Sequence, residues 1–110
     1  MQAMFRTALG SKYIMGRGVP QSYAEALKWL RKAAEQGDTY GLKNLGNMAA
    51  YGFGMPRDYA VAHMYFMLAA ELGDEEAAQL VQNQRKDMTP EQIEDAKRMA
   101  DEWLVEHRPR

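Results

Sequence analysis

Apolar residues recur along this chain at the three- and four-residue spacing of amphipathic helices, and glycine and proline separate the helical stretches. The first stretch, at about residues 2–15, ends in Gly16-Arg17-Gly18-Val19-Pro20, because glycine tolerates positive φ and proline cannot continue a helix. The second begins at Ser22, which forms a capping-box pattern with Glu25, and ends near Gly37, a C-cap glycine. The pattern predicts two antiparallel helices, a helix A followed by a helix B.

The same pair of helices is predicted a second time, because most landmarks recur after 36 residues without an insertion or deletion. The recurring residues are Leu9-Gly10 and Leu45-Gly46, Gly16-x-Gly18 and Gly52-x-Gly54, and the blocks 33–38 and 69–74. Self-similarity at such a period indicates a repeat array, in which each unit buries its apolar face against its neighbours. In the second unit Asp38 is expected to cap a helix A that runs to about Tyr51, and Asp58 to cap a helix B that stops at Gly73.

The period fails towards the C-terminus. A third helix A is predicted from Asp74 to about Lys86, but Gln82 stands where Gly46 stood and no Gly-x-Gly follows. Residues 89–92, Thr-Pro-Glu-Gln, then open another helix with an N-cap threonine, a first-turn proline and a glutamine that closes the capping box. An amphipathic end helix of this kind is what a solenoid needs to cover its exposed core. Its apolar face consists of Ile93, Ala96, Ala100, Trp103 and Leu104.

These elements predict one all-α domain, an α-solenoid of antiparallel helix pairs with a C-terminal capping helix. Its length of 110 residues fits a single domain. The predicted division is repeat one at 1–36, repeat two at 37–72, a partial third repeat at 73–88 and the capping helix at 89–108. We expect the alanines and the Leu-Gly pairs to let neighbouring helices approach closely, with aromatic rings of the opposite helix filling the space.

Composition removes several classes of function. The 14 basic and 15 acidic residues nearly cancel, so no electrostatic field favours nucleic acid or an anionic membrane. Cysteine is absent, which excludes a disulfide scaffold and a cysteine nucleophile. The longest apolar stretch, 59–72, is too short and too polar to span a bilayer, and residues 1–14 do not resemble a signal peptide. We therefore expect a soluble protein, and the sequence leaves its compartment open between cytoplasm and periplasm.

No residue pattern predicts a catalytic, metal or cofactor site. The two histidines lie on different helices: His63 follows the register of Leu27 and is interpreted as a packing or surface residue, and His107 lies in a frayed C-terminal tail. The acids at 74–76 are interpreted as first-turn residues that favour the positive end of the helix dipole. The Gly-x-Gly segments follow helices rather than strands, so they indicate turns rather than a phosphate loop.

Two strings in the first unit resemble the Sel-one-like repeat, a tetratricopeptide-like family with bacterial members. Residues 9–19 read Leu-Gly-x-x-Tyr-x-x-Gly-x-Gly-Val, and residues 23–37 read Tyr-x-x-Ala-x-x-Trp-x-x-Lys-Ala-Ala-Glu-x-Gly. The resemblance extends from residue 1 to about residue 86, with Ala49 and Tyr65 replacing the motif tyrosine and tryptophan in repeat two. It implies a right-handed superhelix with helices A on the concave side, and a role as an adaptor in signalling, secretion or envelope processes.

The same resemblance implies which residues face a partner. On the concave side of repeat two, Tyr40, Lys43, Asn47 and Tyr51 form an i, i+3, i+7, i+11 stripe, and the neighbouring units add Ser11, Gln79 and Asn83. Tyrosines that flank an amine and an amide suit a peptide, because they offer aromatic area at low entropic cost beside polar groups. The alternative is that part of this stripe packs on a neighbouring helix A. The leading hypothesis is a non-catalytic module that binds a protein or peptide segment.

Two other functions stay open at this stage. The N-terminal helix lacks a cap, so Met1, Met4 and Phe5 could pair with a second copy as a homodimer, or with an upstream repeat of a longer chain. A β-lactamase-like hydrolase is the third, since some cysteine-rich relatives are linked to β-lactam hydrolysis or binding. The absence of cysteine and of a Ser/Lys or Glu/Ser constellation argues against that activity.

Overall fold

The computed structural model describes residues 22–107, which form five helices and, within that range, no strand. The helices are α1 (Tyr23–Glu35), α2 (Thr39–Tyr51), α3 (Tyr59–Glu71), α4 (Glu75–Arg85) and α5 (Pro90–Glu106). In the repeat pattern, α1 and α3 are helices B, α2 and α4 are helices A, and α5 is the final amphipathic helix. The all-α solenoid predicted from the sequence is confirmed. The helix predicted at about residues 2–15 lies outside the described residues.

Each helix begins at the polar residue that the sequence indicates. Ser22 accepts a hydrogen bond from the Glu25 amide at 3.3 Å, and Asp38, Asp58 and Asp74 cap α2, α3 and α4 with bonds of 2.9–3.2 Å. At the start of α5, the Thr89 hydroxyl accepts from the Gln92 amide while the Gln92 side chain accepts from the Thr89 amide. Each such cap satisfies backbone donors that the helix leaves unpaired.

The recurring block at 33–38 and 69–74 is a single structural device. Gly37 adopts a φ of 79°, and its amide donates to Ala34 while the Asp38 amide donates to Ala33, the two bonds of a Schellman motif. The block at 69–74 repeats both bonds around Gly73, whose φ is 96°. Since the residue after the glycine also caps the next helix, one six-residue block ends a helix B and begins the following helix A. Because the block serves both helices, its length is the same in the two repeats.

The core between α2 and α3 depends on close approach at Gly46. A Cβ atom built on Gly46 would lie 2.8 Å from the Phe66 ring, closer than real contacts allow. Phe66 is buried there with Ala49, Ala62 and Val81. The predicted combination of a small residue on one helix and an aromatic ring on the other is therefore confirmed.

Helix α5 does not continue the pairing scheme of the earlier helices. It packs on α3 and has at most marginal contact with α4, its neighbour in the chain. Ala96 and Ala100 are buried in this contact, and Met99 and Trp103 pack against the main core. The expectation of a frayed tail at His107 is wrong, because this residue caps α5 with its ring stacked 4.1 Å from the Trp103 ring.

Candidate protein-interaction surface

Helix α2 has a packed side and an open side. The packed side contributes Gly41, Leu42, Leu45, Gly46, Met48 and Ala49, all buried. The open side contains the four residues of the predicted stripe, Tyr40, Lys43, Asn47 and Tyr51, which we call the α2 stripe. Tyr40 and Tyr51 are 62% and 67% exposed and Asn47 is exposed as well. Three of the four side chains are thus accessible.

Lys43 is the exception, because its amine is already paired. Its Nζ lies 3.1 Å from Asp74 Oδ2 and 3.6 Å from Glu76 Oε1, and its side chain is only 13% exposed. The same ammonium lies 5.0 Å from the centre of the Tyr40 ring. Burial lowers the pKa of Lys43, but the hydrogen bond and the charge of Asp74, together with Glu76, outweigh burial and raise that pKa overall. Lys43 therefore joins α2 to the start of α4.

Asp74 has two functions at this junction. Its carboxylate caps α4 by accepting from the Ala77 amide at 2.9 Å, and it pairs with Lys43. The pKa of Asp74 is lowered first by the Ala77 hydrogen bond and then by Lys43 and the Thr39 hydroxyl, against a smaller opposing effect of burial. Interpreting residues 74–76 as helix-start acids is correct, since Asp74 is the N-cap and Glu75 and Glu76 lie in the first turn of α4, but it omits this ion pair.

The remaining predicted site residues lie on α4 or outside the described range. Gln79 and Asn83 occupy the positions equivalent to Lys43 and Asn47, 36 residues later, and both are exposed. Gln79 borders a shallow depression of about 390 Å³ with Glu75, Glu76, Ala78 and Gln82. Ser11 lies outside the described residues, as do Met1, Met4 and Phe5 of the predicted self-association surface.

An aromatic cluster that the sequence analysis did not identify extends the α2 stripe at its C-terminal end. The Tyr51 ring lies 5.5 Å from the Phe53 ring, which stacks in parallel on Tyr23 at 5.1 Å. Phe53 has no counterpart in unit one, where Arg17 holds the equivalent position. The sequence did contain a signal for this cluster, namely an aromatic residue at a turn position that is not aromatic in unit one.

His63 is a buried packing histidine, one of the two interpretations made from the sequence. Its Nδ1 lies 2.9 Å from Gln84 Oε1, and Arg85 Nε donates to its Nε2 at 3.4 Å. Among residues 22–107, no three His, Asp or Glu side chains are arranged to hold a metal ion. In the same range, no helix combines the length and apolar character needed to cross a membrane.

Stacked antiparallel helix pairs with one open helix A side define the class of this protein as a helical-repeat scaffold. Within this class the family is also clear, because the family model for the Sel1 repeat matches residues 2–38 and 39–74. The chain therefore belongs to the Sel1 repeat family, which confirms the resemblance recognised in the sequence. Proteins of this family are generally interaction scaffolds and typically non-catalytic.

Two solved bacterial structures show the same fold. One is a protective antigen of uropathogenic Escherichia coli that displays an SLR fold, with 27% identity, a TM-score of 0.88 and coverage of 96% of this chain. The other is a Sel1 repeat protein from Oxalobacter formigenes, with 29% identity, a TM-score of 0.68 and coverage of 72%. This chain spans 23% and 32% of the lengths of those two proteins. No curated protein compared with the chain shows a significant match.

Proposed function

We propose that this domain is a non-catalytic protein-interaction module that binds a peptide or protein segment along the α2 stripe. The observation that carries the proposal is the contrast between the two sides of α2. One side is fully packed, whereas the other leaves Tyr40, Asn47 and Tyr51 exposed. Exposed tyrosines at both ends of a helix offer rigid contact area, which interfaces use repeatedly.

The polar groups of the stripe suit a backbone rather than a reacting group. The Asn47 amide can donate and accept hydrogen bonds at once, which matches a peptide unit. Lys43 is already paired with two carboxylates, so in this proposal it orients the Tyr40 ring and the start of α4. The exposed amides of Gln79 and Asn83 extend the same surface onto α4.

Binding is tested with peptides selected from a displayed random library on the intact chain and measured by titration calorimetry. We expect Asn47→Ala with Tyr51→Ala to weaken a selected peptide by at least about tenfold, since interface anchors of this kind contribute more than about 1 kcal/mol each. The matched control is Tyr59→Ala, which removes an exposed tyrosine outside the stripe. Circular dichroism establishes that all variants remain folded.

Three results would contradict the proposal. Selected peptides that bind the Asn47/Tyr51 variant as tightly as the parent would place the binding surface elsewhere. If the library yields no peptide that binds the domain, peptide binding itself is contradicted. Turnover in a hydrolase screen, β-lactams included, would contradict the non-catalytic part of the proposal.

Self-association through the N-terminal helix stays a prediction, because Met1, Met4 and Phe5 lie outside the described residues. Light scattering at high protein concentration tests it directly. A monomer under those conditions would exclude a homodimer of this chain. The compartment, cytoplasm or periplasm, likewise stays an expectation from the sequence.

A further inference from the structure

Two equivalent interfaces of the array are built from different chemistry. Between units one and two, Leu27 of α1 and Met48 of α2 are buried in the same apolar core cluster. Thirty-six residues later the equivalent positions are His63 of α3 and Gln84 of α4. His63 is completely buried and joined to Gln84 by a hydrogen bond of 2.9 Å. An apolar pair in one interface is thus replaced by a polar pair in the next.

The partners of His63 determine its protonation state. The guanidinium of Arg85 can only donate, so Nε2 of His63 must carry a free lone pair to accept from it at 3.4 Å. The remaining nitrogen, Nδ1, then carries the proton and donates to Gln84 Oε1. Both contacts are satisfied by the neutral ring alone, because a second proton on Nε2 would remove the acceptor that Arg85 uses.

The charges around the ring also oppose protonation. Burial is the largest cause that lowers the pKa of His63, and Arg85 of α4 and Lys97 of α5 lower it further, against the Gln84 hydrogen bond. Lys97 is itself paired with the exposed Glu94 at 3.5 Å. The only charged residue of α2 is Lys43, which is paired with Asp74 and Glu76. The two charged groups that act on the imidazole, Arg85 and Lys97, are thus both cations.

We propose that neutral His63 holds α4 against α3, and that protonation of His63 in acid releases α4 from the array. An imidazolium at this position would lose the Arg85 hydrogen bond and repel two cations from within a buried site. Among the described helices α4 packs chiefly on α3, so movement of α4 away from α3 relieves the repulsion between the imidazolium and Arg85, whereas Lys97 stays in place on α5. Because α4 contains Gln79 and Asn83, this release would alter one side of the candidate interaction surface.

The acid response of His63 can be distinguished from effects at Asp74 and at His107. The pKa of Asp74 is lowered, so its pair with Lys43 persists well below pH 6. His107, the other histidine, lies with Nε2 3.8 Å from Glu35 Oε1 and therefore belongs to the contact between α5 and α1 rather than to α4. For His63 the pKa is depressed in the folded state, so its stabilising effect is complete above the ordinary value of 6.5. That effect is lost as the pH falls below 6.5 towards the depressed pKa.

Native-state hydrogen exchange measures the release locally, as protection factors of residues 75–85 and 39–51 at pH 7.5 and 5.5. We expect protection of 75–85 to fall on the order of tenfold more than that of 39–51, since one pH unit of proton linkage corresponds to a factor of ten. The matched control is His63→Leu with Gln84→Met, which installs the residues of the equivalent apolar interface. This control should lose the difference, whereas His107→Gln should keep it.

A second variant makes the test independent of how well the double variant folds. Gln84→Glu places a carboxylate beside Nδ1–H and stabilises the imidazolium, so α4 should then retain its protection as the pH falls. Equal loss of protection in 75–85 and 39–51 in the parent protein would overturn the proposal. An acid response of Gln84→Glu identical to that of the parent would also overturn it.

Discussion

Helices α2 and α4 occupy equivalent positions 36 residues apart, yet only α2 packs against the helix that follows it in the chain. Both start at a capping aspartate and both pack on α3. On α2, Gly46 and Ala49 leave room for the Phe66 ring of α3. On α4 the equivalent residues are Gln82 and Arg85, both exposed. The regular pairing therefore stops after α4 because the side of this helix A that would pack on the following helix is polar, although the helix itself is formed.

The position of α5 follows from this difference between α2 and α4. Its apolar residues find no groove on α4, so it packs on α3, where Ala96 and Ala100 become buried. The connections differ as well: the turn after α2 returns the Asp58 amide to the Ala49 carbonyl at 3.0 Å, whereas residues 86–89 contain no glycine. An amphipathic helix must bury its apolar stripe, and the apolar surface available to α5 belongs to α3 rather than to α4, its neighbour in the chain.

The largest expected effect comes from making α2 resemble α4. Gly46→Gln should lower the free energy of unfolding by about 3 kcal/mol, because any side chain at this position overlaps the Phe66 ring. Gly46→Ala should show a smaller loss of the same sign. Urea denaturation followed by circular dichroism measures both. Wild-type stability in Gly46→Gln would mean that the α2–α3 approach is not limited by this contact.

An intermediate effect is expected at the junction between α2 and α4. Asp74→Ala removes both the cap of α4 and the partner of Lys43, so we expect a loss of about 2 kcal/mol. Asp74→Asn keeps a good capping residue and loses only the charge, so about half of that loss should remain. Thermal unfolding at neutral pH distinguishes the two variants, and equal losses would show that the cap contributes nothing.

The same junction has a defined pH dependence. Since the pKa of Asp74 is lowered in the folded state, the stability that its carboxylate provides is present above the ordinary value near 3.8. It is lost as the pH falls below that value towards the lowered pKa. Asp74→Asn should therefore approach the stability of the parent protein in strong acid.

The smallest expected effect comes from the reverse substitution on α4. Gln82→Gly should cost about 1 kcal/mol, because glycine lowers helix propensity by that amount and no ring lies ready to fill the space. Arg85 would still prevent α5 from pairing with α4, so fluorescence of Trp103, compared with that of Trp103→Phe, should be unchanged. A gain in stability would indicate that Gln82 alone prevents the pairing.

Local features of the fold could be predicted from single residues and their spacing. The capping residues Ser22, Asp38, Asp58, Asp74 and Thr89 were all predicted, because a cap depends on one side chain and the next three amides. The Schellman blocks are local in the same sense. The open side of α2 followed from helical periodicity together with the resemblance to tetratricopeptide arrays.

Features that join different helices were harder to predict. Lys43 was interpreted as an available amine, but it pairs with Asp74, which lies at no recurring offset from it. A usable signal existed in the acids at the start of the next helix A, since Asp74 and Glu76 lie within reach of Lys43 near the first turns of α2. The stack of Tyr23, Phe53 and Tyr51 depends on how a turn folds back on α1, which periodicity does not specify.

The sequence by itself determined the helices, their caps and the family, because these depend on short-range hydrogen bonds and on a 36-residue period that needs no coordinates. Only the tertiary structure decided that α5 packs on α3, that Lys43 is paired and that His63 is held as a neutral ring between cations. These outcomes depend on which side chains share a buried space. Which side chains meet in that space is set by the distance between helices, and no pattern along a single helix specifies this distance.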